Sequence, residues 1–360
     1  MKTNDRFSLN QLLALCSVMA LTPALRLLPA ASASLAGRVG WLSILLALPA
    51  AAAYGAFLWH FSQKRREDES LTALWQRAAG ERVGALLLGL FGLWLLFYAA
   101  FTLRDGAQRL IVTVYPHADR RLFLLPMGLA AAVAGARGAR QLVRTAKLVL
   151  PLLVGAIVLT LVFALPEMRA ANLFPMTGRD ALPLIKGTLP TLNVAALILT
   201  LLFFLSDKLD GQPGYRPIAV RIALLGSLMA ALTAAVIGSL GHELAARLAQ
   251  PYFSLVRNLV FFHSLERIEA VLVALWIFSD FLLTAALLHI ARRALSALFS
   301  DSDWLAAAVG AASLLLACLL APEAEGFAKL SARIAPAINA TVCLLLIPGV
   351  YLLGTLRKRL

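Results

Sequence analysis

The apolar residues of this chain fall in blocks of about twenty, and that pattern constrains the fold more than any other feature. Ten such blocks can be marked, roughly 10–31, 40–60, 83–103, 121–136, 148–165, 184–206, 217–240, 268–290, 304–320 and 334–354. Twenty residues of helix match the hydrocarbon core of a bilayer. An open chain inside lipid must satisfy its backbone within each segment, so every block is predicted to be a helix. With 61% of its 360 residues hydrophobic and 14% charged, the chain has too little polar surface to enclose a soluble core of this size. The expected fold class is therefore an all-α polytopic membrane protein with about ten transmembrane helices.

A net charge of +14 would suggest a nucleic-acid partner in a soluble protein. Here the basic residues collect between apolar blocks, where anionic lipid and the insertion machinery favour them. The expected partner is thus the bilayer, and no nucleic acid. An even number of spans puts both termini on one side, and the excess of Lys and Arg, as in "KRRED" (Lys64 to Asp68) and "RKR" (Arg357 to Arg359), assigns that side to the cytoplasm. Lys2 and Arg6 ahead of the first block, with "ASAS" at Ala31 to Ser34, resemble a cleavable leader, but the stretch is long enough to span and is read as a retained first helix. No linker or low-complexity tail divides the chain, so residues 1–360 are expected to form a single permease-like domain. The longest loop holds "YFSLVRNLVFF", where Leu255, Leu259 and Phe262 share a face. This predicts an amphipathic helix over about 252–262, lying on the outer surface.

Ten spans also suit five plus five, with one repeat over about 8–165 and its inverted partner over about 184–354. In that architecture the first helix of each repeat is interrupted at the midplane, where freed backbone groups bind substrate. Spans one and six, "SVMALTPALRLLP" and "IKGTLPTLN", each place hydroxyls beside a proline, which lacks a backbone donor. Thr22, Pro23, Thr188, Pro190, Thr191 and Asn193 are therefore candidate ligand-binding positions, with Tyr98 of span three. A proline kink without a binding role is the competing reading.

Asp280 is the one carboxylate set well inside a marked span. A charge there costs about 2.5–3.5 kcal/mol on insertion scales, so it must face protein or water. Two readings stand: a proton or cation carrier, or a structural pair with a base such as Arg26 or Lys147, or with Ser279 and Thr284. Lys147, at the start of span five, either snorkels to the interface or stands in for a coupling cation. Cys16, Cys318 and Cys343 lie within spans without metal spacing, and His60, His117, His242, His263 and His289 are scattered. No nucleotide fingerprint or nucleophile elbow is present, so neither an enzyme nor a cofactor or metal is expected.

Several motifs, in order, resemble the GerAB-type spore germination permeases, the membrane B subunits of endospore germinant receptors within the amino acid–polyamine–organocation superfamily. They are Ser8 and Gln11 in "FSLNQLLAL", Trp41 and Ser43 in "GWLSILLALP", Arg144 in "GARGARQLVRTAKLVLP", and the stretch "PYFSLVRNLVFFHSLERIEAVLVALW" with Pro251, Arg257, Glu266, Arg267, Glu269 and Trp276. This resemblance implies a LeuT-like inverted-repeat fold in the spore inner membrane. It also implies a small nutrient, such as an amino acid, as ligand, and a large A-type membrane subunit and a C-type lipoprotein as partners. A proton-coupled amino acid or cation transporter is the alternative. The chain departs from the family pattern at Lys147, where a Glu is common, and it lacks a Gly before Pro23 and a Gly-x-Glu element in span six.

Overall fold

In the computed structural model, residues 6–66, 69–113, 118–211, 213–259, 268–320 and 324–360 are described. They are almost entirely helical. In chain order the helices are α1 (Leu9–Ala36), α2 (Gly40–Gln63), α3 (Leu71–Ala79), α4 (Glu81–Thr113), α5 (Arg121–Ala136), α6 (Ala139–Ala164), α7 (Ala170–Leu173), α8 (Ala181–Leu205), α9 (Arg216–Leu240), α10 (His242–Arg247), α11 (Pro251–Asn258), α12 (Ile268–Leu295), α13 (Asp303–Leu319), α14 (Ala324–Lys329), α15 (Ala335–Thr341) and α16 (Ile347–Leu356). Among the described residues, seven stretches are long and apolar enough to span a membrane. The first, Leu9–Gln63, runs 55 residues and holds both α1 and α2, with Gly37 (φ 58°) turning the chain between them. Helices α5 and α13 are apolar but shorter. The segment from α14 to α16 is one helical run containing two π-helical turns, Leu330–Ile334 and Val342–Leu346.

Local sequence sets the ends. Ser8 caps α1, its Oγ accepting from the Gln11 amide while the Gln11 side chain accepts from the Ser8 amide, a reciprocal capping box. Ser70 and Ser302 cap α3 and α13 with the hydroxyl alone, each accepting at 3.2 Å from a backbone amide three residues on. Close helix crossings rest on small residues. A Cβ at Gly187 of α8 would lie 2.8 Å from the Ser43 side chain and 2.9 Å from the Ala36 methyl, so glycine is what lets α8 meet α1 and α2 there.

The contacts define two faces. On one, called the N-terminal face, residue Phe7 forms an isolated parallel bridge with Leu209, Arg293 pairs with Asp207, and the Arg357 guanidinium donates to the Ala79 carbonyl. The first described residues, from Arg6, and the C-terminal residues therefore lie on this face. On the opposite, distal face the α1–α2 turn approaches His242. Outward-facing leucines such as Leu148, Leu224 and Leu345 suit contact with lipid.

Two expectations are corrected. Spans one and six are not interrupted: α1 passes through Pro23 and Pro29, and α8 through Pro190, as unbroken helices. Each proline removes a single amide donor, and the bonds on either side, with close packing by neighbours, hold the helix together. The amphipathic helix of the long loop is α11, ending at Asn258. It does not lie over the surface: Tyr252, Phe253, Leu255 and Val256 are all buried against the bundle. Its apolar face is wider than the Leu255–Leu259 pair suggested, and Phe262 lies outside the described residues.

A clamp on the N-terminal face involves Arg77 of α3. Its guanidinium donates to the Lys64 carbonyl at 2.8 Å, to the Arg359 carbonyl, and to both carboxylate oxygens of Glu69 at 2.8 and 2.9 Å. Partial burial raises the Glu69 pKa, but the bonds from Arg77 and the Arg66 amide outweigh it, and the carboxyl sits below its ordinary range. A depressed carboxyl contributes stability above its ordinary pKa and loses it as pH falls through the depressed value. Glu69→Gln is therefore expected to lower stability by about 1 kcal/mol or less at neutral pH, with the difference from wild type vanishing on acidification. Thermal melts of the two proteins across pH check this.

Candidate functional site

Helices α1, α4 and α12 meet around four charged side chains. The Arg26 guanidinium contacts Asp105 Oδ1 at 2.6 Å, and Arg109 Nη2 lies 3.0 Å from Asp105 Oδ2 and 2.9 Å from Asp280 Oδ2. Two cations thus alternate with two anions, and the group has no net charge. Every side chain in it is nearly buried. Asp280 lies about 18 Å along α12 from Ile268, near the middle of that helix, and Arg26 lies about 15 Å along α1 from its distal end at Ala36, at 1.5 Å per residue, so the quartet is well inside the bundle with its α1 member toward the distal face. Buried ions need partners with good geometry, and each carboxylate here has a guanidinium. The rise of α4 sets Asp105 and Arg109 one turn apart on one side. Gly106, beside them, leaves room for α12: a Cβ there would sit 3.2 Å from Asp280 Oδ2. Aromatic rings pack against the cations, with Phe101 centred 6.0 Å from the Arg26 guanidinium and Trp276 centred 5.8 Å from that of Arg109.

Asp280 is therefore paired with Arg109, and reaches Arg26 only through Asp105. Ser279 and Thr284 donate instead to backbone carbonyls, of Val18 at 2.5 Å and of Asp280 at 2.8 Å. The sequence reading did not single out Asp105 and Arg109, because it ended span three at 103 while α4 continues to Thr113. The signal was there: Arg26 inside span one demanded an acid, and Asp105 and Arg109 have the four-residue spacing of a helical ion pair.

The candidate ligand positions divide into three groups. Thr22 on α1 and Thr191 on α8 are buried, and their hydroxyls have no hydrogen-bond partner among the described residues. Thr188 is buried too, but its hydroxyl donates to the Ile185 carbonyl at 2.7 Å. Pro23 and Pro190 are half-buried within their helices. Asn193 is engaged in a second network: its amide donates to the Pro336 carbonyl at 2.8 Å, and the Asn339 amide donates back to Asn193 Oδ1 at 3.0 Å. The network continues through Cys343, whose carbonyl accepts from Tyr54 at 3.0 Å, and so fastens the π-helical last span to α2 and α8. Tyr98 is buried among rings, 6.0 Å from Trp94 and 5.6 Å from Phe101.

Lys147 stands apart. It is exposed near the N-terminal face, with Arg144, and both line a cavity there rather than the bundle centre. The N-terminal face has its own closure. Arg293 of α12 forms a two-pronged pair with Asp207, and also donates to the Phe204 carbonyl at 3.0 Å. Beneath it, Phe204 stacks on Phe91 at 4.3 Å and Trp75 packs against both. Charged pairs thus bind α12 to its neighbours on both sides of the midplane, and the threonine-bearing stretches of α1 and α8 lie between.

The sequence model of the family described as "Spore germination protein" matches residues 6–324, from the start of α1 to the beginning of the last span. The chain belongs to this family of spore germination permeases. Among curated proteins, "Spore germination protein KB" of Bacillus subtilis (strain 168) is 23% identical over 325 residues, covering 88% of this chain and 85% of that protein. In this spore germination permease the matched region contains every member of both charged closures.

The motif residues at Pro251 to Trp276 have a structural setting in the same permease. Pro251 starts α11 and is buried. Trp276 packs against Tyr252 at 5.7 Å and Phe253 at 5.9 Å, which pins α11 to α12 beside Arg109. Tyr252 continues the contact to α6 through a 3.1 Å hydrogen bond with Thr160. Arg257 is exposed on α11. Glu266 and Arg267 lie outside the described residues, as does the side chain of Glu269.

Proposed function

We propose that this permease is the transporter-like membrane subunit of a spore germinant receptor, which binds a small nutrient such as an amino acid near the midplane and signals to partner subunits. The observation that carries the reading is the family match over residues 6–324. The N-terminal face is the cytoplasmic one in this reading, supported by the basic residues gathered there at Arg140, Arg144, Lys147 and Arg357 to Arg359. Partners would be a large membrane subunit and a lipoprotein, in the spore inner membrane. Thr22 and Thr191 are the ligand contacts favoured most, because a buried hydroxyl without a partner is satisfied by a polar ligand. Ligand can drive a signal only by differing in affinity between two states, and the two charged closures are natural places for those states to differ. The Arg109 partner of Asp280 favours a fixed latch over a freely cycling proton carrier, so the receptor reading is preferred to proton-coupled transport.

The test is germination of spores lacking the gene, complemented with wild-type or Thr22→Ala/Thr191→Ala protein. Loss of response to a nutrient in the deletion, with the threonine variant needing about 30-fold more nutrient, is the expected result at about 1 kcal/mol for each of the two hydrogen bonds. A deletion strain that germinates normally on every nutrient sinks the receptor reading. An unchanged dose response in the variant sinks the site. Substrate flux through the purified chain alone in liposomes would favour the transporter.

A further inference from the structure

On the N-terminal face, well away from the quartet, a cavity of about 470 Å³ is lined by Arg6, Arg140, Arg144 and Lys147, with Asp210 as the one carboxylate among its lining residues. Arg140, Arg144 and Lys147 fall at helical spacing along one side of α6. The amino-terminal ends of α1 and α6 both open on it, at Ser8 and at Arg140, and add their positive dipole ends to the same space. Insertion topology explains basic residues near this face. It does not explain their convergence on one concave site with two helix amino-terminal ends.

We propose that this cavity binds a phosphate-bearing anion. Its flank indicates the source: Leu148 and Leu152, the next outward-facing residues of α6, are 73% and 62% exposed, so the site adjoins surface that meets lipid tails. A phospholipid headgroup can place its phosphate among the cations and its chains along these leucines. The bound anion also has a mechanical consequence. The opposite wall is the segment Arg6 to Ser8, whose backbone pairs with the end of α8: the Phe7 amide donates to the Lys208 carbonyl at 3.0 Å, and the Asp210 amide to the Phe7 carbonyl at 3.1 Å. An anion held between Arg6 and the α6 cations staples α6 to that pairing. This site does not depend on the identity of any nutrient.

The experiment is hydrogen exchange on the full chain in detergent, titrated separately with short-chain phosphatidylglycerol, short-chain phosphatidylcholine and inorganic phosphate. Phosphatidylglycerol is expected to slow exchange at the amides of Phe7 and Asp210. Arg144→Gln/Lys147→Gln, at two exposed positions, is expected to weaken that response about 30-fold. Slowing by inorganic phosphate, lost in the same variant, would support the anion site with a soluble source instead. Equal slowing by phosphatidylcholine, an unchanged response in the variant, or no slowing by either anion would overturn the proposal.

Discussion

Arg109→Ala is expected to be the most damaging single change in the buried quartet, destabilising the permease by about 3–5 kcal/mol. The order of the charges decides this. Arg26, Asp105, Arg109 and Asp280 form a chain in which Arg109 contacts both carboxylates. Without Arg109, Asp105 keeps Arg26, while Asp280 loses the guanidinium 2.9 Å away and stays as a buried charge. Asp280→Ala takes less, because Arg109 keeps Asp105 at 3.0 Å. The double variant Arg109→Ala/Asp280→Ala should recover part of the loss, since no carboxylate is then stranded on α12. Unfolding of the detergent-solubilised single and double variants measures the cycle. Asp280→Ala proving worse than Arg109→Ala, or the double variant being worse than both, would show that the quartet does not act as a linked chain.

The helical framework was legible because bilayer thickness fixes the length of each apolar block. The blocks at 10–31, 40–60 and 334–354 fall within α1, α2 and the last helical run, while the turn at Gly37 and the start of that last run at Ala324 lie beyond what hydropathy marked. What could not be read was where a charged segment stays helical. Arg104 to Arg109 has the composition of a loop, yet α4 continues through it, because Asp105 finds Arg26 on another helix and pairing across helices is invisible to a local pattern. The prolines misled in the opposite direction. Pro23 and Pro190 mark positions where a break is affordable, and whether the helix breaks is decided by neighbours, here the close contact of α8 with α1 and α2 at Gly187. Of the candidate ligand residues, Thr22 and Thr191 retain unpartnered hydroxyls. Asn193 proves to be committed to Pro336 and Asn339, a pairing nearly 150 residues away in sequence that no motif announced.

Breaking the two charged closures should push the permease in opposite directions. Arg26→Gln removes the α1 end of the quartet, and Arg293→Gln removes the partner of Asp207, so each loosens one face while leaving the other latched. If the chain exchanges between states open to one face or the other, loosening a face favours the state open to it, and a shift of about 1.4 kcal/mol changes the population ratio tenfold. Cys16 is a native reporter, buried on α1 about 10 Å along the helix from Leu9 and therefore nearer the N-terminal face. In a Cys318→Ser background, which removes the exposed thiol, labelling of Cys16 by a charged maleimide should speed up about tenfold in Arg293→Gln and slow down in Arg26→Gln. The double variant should return toward the wild-type rate, because the two shifts oppose each other. Faster labelling in both single variants, adding in the double, would mean that each pair merely holds the bundle together and that the faces do not exchange.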